Sequence, residues 1–260
     1  MAHGSSADMI RQSDADRAWV VEEACRNARP SPLEIGLGGW ILRASGGPTR
    51  RTNSLNPLRG WRDDPARIVA EAESLYRNLG RPLIVRVPDL VPEMDVLLDG
   101  LGYRSEGEAC TLFAELPPDD RDGAEGVALD NAPDAAWLAA RAACEGVVSE
   151  VALRTYHDSI ACLILPRMFA RRIEANRTVA VAYGVLHRGI LVFESVATHP
   201  SHRRAGHARS LIVALMAWAR REGATGACLQ VVAENAPARA LYAGLGFSRS
   251  LYGYRYRRRD

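Results

Sequence analysis

The chain lacks paired cysteines. Its five, Cys25, Cys110, Cys144, Cys162 and Cys228, are scattered, odd in number and never spaced C-x-x-C. That pattern argues against a disulfide framework and fits reduced thiols. His199, His202 and His207 cluster, but no cysteine or carboxylate accompanies them at ligand spacing in the sequence, so no metal site is expected. Long apolar runs are missing as well. None approaches the ~18–20 residues of a membrane span, and the opening "MAHGSSADMIRQSDADRAW" has no apolar core of the secretory kind. Excess charge of either sign is also absent: 33 Lys and Arg against 31 Asp and Glu leave a formal net charge of +2. Nothing in that balance points to nucleic acid, and the basic ending "RYRRRD" reads as a solvated terminus. These absences together predict a soluble cytoplasmic protein with neither a nucleic-acid nor a membrane partner.

What is present is an ordinary globular composition, 47% hydrophobic and 25% charged, over 260 residues, a length suited to two domains. Proline, aspartate and glycine concentrate in "LPPDDRDGAEG" at 116–126. We read the linker there, at 119–126, between domains 1–118 and 127–260. The first half shows strand-like "LEIGLGGWILRAS" and "TNSLNPL", then a helix over "DPARIVAEAESLYRNLG" with Ile68, Ala72, Leu75 and Tyr76 on one face. Strand-like "PLIVRV", helix-like "PEMDVLLDGLG" and strand-like "ACTLFAEL" follow. In the second half "APDAAWLAARAAC" and "EVALRTYHDSIACLIL" read as helices. "TVAVAYGVLH" and "ILVFESVAT" read as a hairpin turning at Arg188-Gly189. A helix after residue 206, strand "ACLQVV", helix "APARALYAGLG" and strand-like "SLYGYRYRR" complete it. Both halves close on Leu-Gly-aromatic followed by two strand-like runs, which suggests a divergent internal repeat.

The stretch "THPSHRRAGHARSLIVALMAWAR", residues 198–220, carries the chemistry. The string Arg-x-x-Gly-x-Ala occurs twice, but "RSEGEA" at 104–109 holds two glutamates that would repel phosphate and leads into a strand. "RRAGHA" at 203–208 has no acid, follows a strand and opens a helix. A helix start leaves about four amides unpartnered and adds a partial positive charge. Gly206 and Ala208 leave room for a phosphate to approach, and Arg203 and Arg204 offer charge-assisted contacts. Downstream, "NAPARALYAGLGF" places Asn235 as a helix cap, with Ala238 and Tyr242 one turn apart. Beside a thioester, the Tyr242 hydroxyl would be a proton donor.

These paired segments resemble the GNAT superfamily of acetyl-CoA-dependent N-acetyltransferases, over roughly residues 127–258. The resemblance implies an α/β fold built on a mixed sheet, with two GNAT-like domains in tandem, each a central mixed sheet flanked by helices. It implies acetyl-CoA as cosubstrate and no metal. Backbone at Val196, Ala197 and Thr198 would pair with the pantetheine arm. The loop Arg203, Arg204, Ala205, Gly206, His207 and Ala208 would cradle the pyrophosphate, Asn235 would contact the cofactor or brace its helix, and Tyr242 would protonate the thiolate. The N-terminal half looks like a degenerate copy, since "NPLRGWRDDPARI" stands where a glycine loop would be. "LGGWILRASGGPTRRTNSLNPL" also resembles the first half of bacterial tandem GNAT proteins of unassigned substrate.

Acetyl transfer needs a deprotonated amine. Glu194, on strand "ILVFESVAT" and by alternation on the face of Val192 and Val196, is the candidate base, with Glu234 and a water relay as competitors. The expected activity is acetylation of a primary amine of a small molecule. The alternatives are a protein N-terminal or lysine acetyltransferase and a non-catalytic acyl-CoA sensor. Glu145, Glu150 and His157, together with Arg50, Arg51 and Asn53, are candidates for acceptor recognition. A monomer, internally a pseudo-dimer, or a homodimer is expected.

Overall fold

The strand-forming runs of both halves assemble into one mixed sheet. The computed structural model describes residues 6–118, 124–146 and 148–259, with side chains from residue 14 onward. Its strands, in chain order, are β1 (Glu34–Leu37), β2 (Trp40–Arg43), β3 (Leu55–Pro57), β4 (Ile84–Pro88), β5 (Arg104–Glu115), β6 (Val127–Asp130), β7 (Arg167–Glu174), β8 (Arg177–His187), β9 (Ile190–Thr198), β10 (Gly226–Val232) and β11 (Arg249–Arg258). The helices are α1 (Ser6–Ala28), α2 (Pro65–Asn78), α3 (Pro92–Gly100), α4 (Ala135–Glu145), α5 (Glu150–Ala161), α6 (His207–Arg221) and α7 (Ala236–Ala243).

The spatial order is β1-β2-β3-β4-β11-β5-β10-β9-β8-β7-β6. The expected mixed sheets flanked by helices are therefore present as one eleven-stranded sheet. The last strand of each half crosses to the other half. β11 pairs antiparallel with β4, β5 pairs antiparallel with β10, and β5 and β11 pair with each other at the centre. The two Leu-Gly-aromatic segments that echo in sequence lead into these two exchanged strands.

Most elements form where local chemistry directs them. Asp64 caps α2 by accepting from the Arg67 amide, Asp134 caps α4 and Ser149 caps α5, each bonding a first-turn N–H. The β8–β9 hairpin turns at Arg188 and Gly189, whose φ values of 50° and 75° match a two-residue turn. Three elements lay outside the sequence expectations: α1, β6 and β7. The α1 contact stripe is Ala18, Val21, Ala24, Cys25 and Ala28, each at most 3% exposed. Its residues are so small that helical spacing yields little apolar signal. Of the expected linker, residues 119–123 lie outside the described residues.

Helices cover both faces. Trp137 of α4, Tyr156 and Ile160 of α5 and the α1 stripe share one core with Phe169, Val181, Tyr183, Val192 and Cys228. On the other face Leu211, Ile212 and Leu215 of α6, with Tyr242 of α7, pack on Leu191, Phe193, Leu229 and Val231. A third core joins α2 and α3 to β2, β3 and β4. Helix α1 belongs to the N-terminal half yet lies across the strands of the C-terminal one.

Candidate active site

Strands β9 and β10 run parallel but pair at only three positions, Ile190 with Gly226, Leu191 with Ala227 and Val192 with Cys228. Beyond them the two strands part, and a gap opens between the ends of β9 and β10. A bulge marks the opening. Ser195 has φ of 52°, and the β8 register jumps from Tyr183↔Glu194 to Val181↔Ala197. The extra residue reverses the alternation. Glu194 thus shares the face of Val192 and Tyr183, but Val196 packs with Phe193 on the α6 side, contrary to simple alternation.

The gap leads to the loop before α6. Arg204 and Gly206 both have positive φ, 65° and 82°, so the chain curls and its successive amides face one way. Gly206 is the N-cap of α6 and supplies no side-chain cap. A Cβ added there would meet nothing within 4 Å. The first amides of a fifteen-residue helix therefore face open space beside Arg203 and Arg204, which fits a phosphate group in charge, donors and room.

A cavity of about 780 Å³ connects these parts. Val196, Ala197, Thr198, Arg203, Arg204, Gly206, His207, Ala208, Asn235 and Tyr242 all line it. Ala205 is exposed in the loop and does not. Asn235 caps α7 through its side-chain oxygen, which accepts from the Ala238 amide at 3.2 Å. His207 is buried, with Nε2 3.5 Å from the Glu174 carboxylate. Among the described residues no group of three or more His, Cys, Asp or Glu is placed to hold a metal ion.

Tyr242 is 8% exposed and packs edge-on to Phe247, whose ring in turn meets Phe193. Burial, with the negative charge of Glu194 adding to it, pushes the phenol up to about 12. The hydroxyl therefore keeps its proton at neutral pH.

The two candidate bases are placed differently from Tyr242. Glu194 is buried and clasped by Arg51, which donates to both carboxylate oxygens, one contact measuring 3.1 Å. Glu234 is exposed. Neither lines the cavity. Of the candidate acceptor residues, Glu145 lines it, Arg51 faces the second half, and Arg50 pairs instead with Glu106 at 3.4 Å. Asn53 turns into its own loop, donating to Ser45 Oγ, Gly47 O and Thr49 O. Glu150 and His157 are exposed on α5. Sequence reasoning missed Ser195, whose backbone makes the bulge and whose side chain meets Tyr156 OH at 3.1 Å. A serine within a strand-like run carries no local sign of left-handed backbone.

Comparison with known proteins agrees with this geometry. Residues 17–257 match the family described as "Probable histone acetyltransferase Rv0428c C-terminal". The uncharacterized N-acetyltransferase YobR of Bacillus subtilis (strain 168) is 26% identical over 250 residues, spanning 92% of this chain and 98% of YobR. Among solved structures, a GCN5-related N-acetyltransferase from Kribbella flavida aligns with a TM-score of 0.62 at 18% identity, over 99% of this chain and 96% of that one. A tandem GNAT protein from the clavulanic acid biosynthesis pathway aligns with a TM-score of 0.59 at 15% identity, over 82% and 75% of the two chains. No helix among the described residues is long and apolar enough to cross a membrane. With a parted strand pair, a bulged strand, an amide-lined loop and a family match over nearly its whole length, the chain belongs to the Rv0428c C-terminal acetyltransferase family and is a GNAT N-acetyltransferase.

Proposed function

We propose that the protein moves an acetyl group from acetyl-CoA to a primary amine of a small molecule, by direct attack, with Tyr242 as general acid. The observation that carries this reading is the single cavity running from the amides of residues 206–208, along residues 196–198, to the buried phenol of Tyr242. The loop amides, Arg203 and Arg204 hold the pyrophosphate, and the unpaired edge of β9 meets the pantetheine arm. Acetyl-CoA supplies a thioester carbonyl with a good leaving group. The neutral amine nitrogen attacks that carbonyl carbon, the C–S bond breaks, the departing thiolate takes the Tyr242 proton, and the proton shed by the nitrogen passes through water, which reprotonates the phenolate. Arg51 occupies both oxygens of Glu194, so Glu194 reaches the amine's proton only through water or after Arg51 moves.

We assign cofactor binding to residues 127–260 alone. In the N-terminal half Asp64 already accepts the Arg67 amide at the start of α2, which sets a carboxylate where a phosphate would need to sit. The acceptor side of the sheet is covered by the N-terminal half. Ser159 of α5 donates to the Pro30 carbonyl at 2.6 Å, Thr155 crowds Gly47, and Arg51 meets Glu194. That cover favours a small acceptor. The family's description as a probable histone acetyltransferase supports a second reading, a lysine side chain of a protein.

Calorimetric titration of acetyl-CoA into the full-length protein tests the proposal. One site per chain is expected, followed by CoA release when amines are supplied. Absence of binding would overturn it, and binding without transfer to any amine or protein would make the chain a sensor.

A further inference from the structure

The face of the sheet opposite α6 holds two arginines that the acetyl-transfer chemistry does not use. Arg29, just beyond α1, and Arg141 of α4 are 7% and 8% exposed. Both guanidiniums lie over the ring of Tyr156, at 4.3 and 3.5 Å from its centroid. The Nε of each is buried without a hydrogen-bond partner. Arg141 pairs with Glu145 at the cavity rim, whereas Arg29 has no carboxylate at ion-pair distance among the described residues.

Burying a guanidinium without a counter-charge is costly, and two stacked on one ring also repel each other. Glu194 acts on Arg29 only from beyond ion-pair distance and is itself clasped by Arg51, and the other polar partner of Arg29 is the neutral Tyr183 hydroxyl. Arg29, Arg51 and Arg141 thus face Glu145 and Glu194, which leaves one positive charge uncompensated. The cluster borders the cavity through its partners without itself lining it. Tyr156 OH meets Ser195 Oγ at 3.1 Å, and both Ser195 and Glu145 line the cavity.

We propose that Arg29 and Arg141 hold a carboxylate of the acceptor, so that the acceptor is a small amino acid, an amine that carries its own carboxylate. One uncompensated charge matches a monoanion better than a phosphate dianion, and a planar guanidinium presents paired donors to a planar carboxylate. The Tyr156 ring holds both guanidiniums against rotation. Arg29 comes from the N-terminal half and Arg141 from the C-terminal half, so recognition of the carboxylate would need both. This assignment rests on the acetyl-transfer reading above.

The test is CoA release from acetyl-CoA with a panel of α-, β- and γ-amino acids, each set against its own amide. For at least one acid, kcat/KM should exceed that of its amide by about 10-fold or more, the effect of a charge-assisted contact. Arg29→Lys and Arg141→Lys keep the charge but remove the stacked fork. Each should raise KM for the acid and collapse the acid-to-amide ratio, with acetyl-CoA affinity unchanged as the check on folding. Equal turnover of acids and amides, or no acid acetylated by protein that binds acetyl-CoA, would overturn the assignment, as would a ratio that survives in both variants. Failure to bind acetyl-CoA would instead overturn the acetyl-transfer reading on which it rests.

Discussion

At Tyr242 the packing that anchors α7 also sets the proton affinity of the phenol. Phe247 and the α6-side core exclude water from the ring, and exclusion of water disfavours the phenolate. A phenol raised to about 12 stays protonated through pH values at which an ordinary tyrosine, near 10.0, would have lost half its protons. If Tyr242 is the donor, turnover should climb with rising pH as the acceptor amine loses its proton, and it should not descend again through about pH 10. Tyr242→Phe should lower turnover about 10-fold or more with little change in acetyl-CoA affinity. Steady-state rates alongside calorimetry check both, and unchanged turnover would remove Tyr242 from the mechanism.

Among the elements, the loop before α6 and the end of β9 matter most. Their distinguishing feature is backbone: Ser195, Arg204 and Gly206 are all left-handed and all line the cavity. Gly206→Glu would place a Cβ-bearing residue at φ of 82° and a carboxylate beside the first amides of α6, where the proposed phosphates would sit. Acetyl-CoA affinity should fall by about 10-fold or more while the unfolding transition shifts only slightly. A normal dissociation constant would mean that the phosphates lie elsewhere. The loop was legible in sequence because glycine and the helix start are local signals. The bulge was not, because an extra residue in β9 is defined only against β8. The same limit explains the expected placement of Val196 beside Glu194, which strict alternation demanded and the bulge reversed.

At the scale of the whole molecule, exchange of β5 and β11 makes each half depend on the other. Residues 124–260 alone would lack β5, leaving long unpaired edges on β10 and β11, and would lose the α1 stripe that covers Tyr183 and Cys228. Neither half expressed alone should show a cooperative thermal transition, whereas the two halves expressed together should recover one. Calorimetry of purified fragments decides the point. An independently folding C-terminal half with normal acetyl-CoA affinity would mean that the exchanged strand is dispensable.

The sequence by itself determined most of the elements, the cap of α7, the hairpin at Arg188-Gly189, the glycine-containing loop before α6 and the cavity positions of Asn235 and Tyr242. All of these rest on interactions within a few residues, such as capping bonds, turn geometry and helical periodicity. Tertiary structure alone decided the merging of the strands into one sheet, the docking of α1 through small side chains, the bulge at Ser195, and the meeting of Arg51 with Glu194 and of Arg29 with Tyr156. Each of those depends on pairing between separate elements, which follows from register, burial and charge compensation in the folded chain and leaves no periodic trace along it.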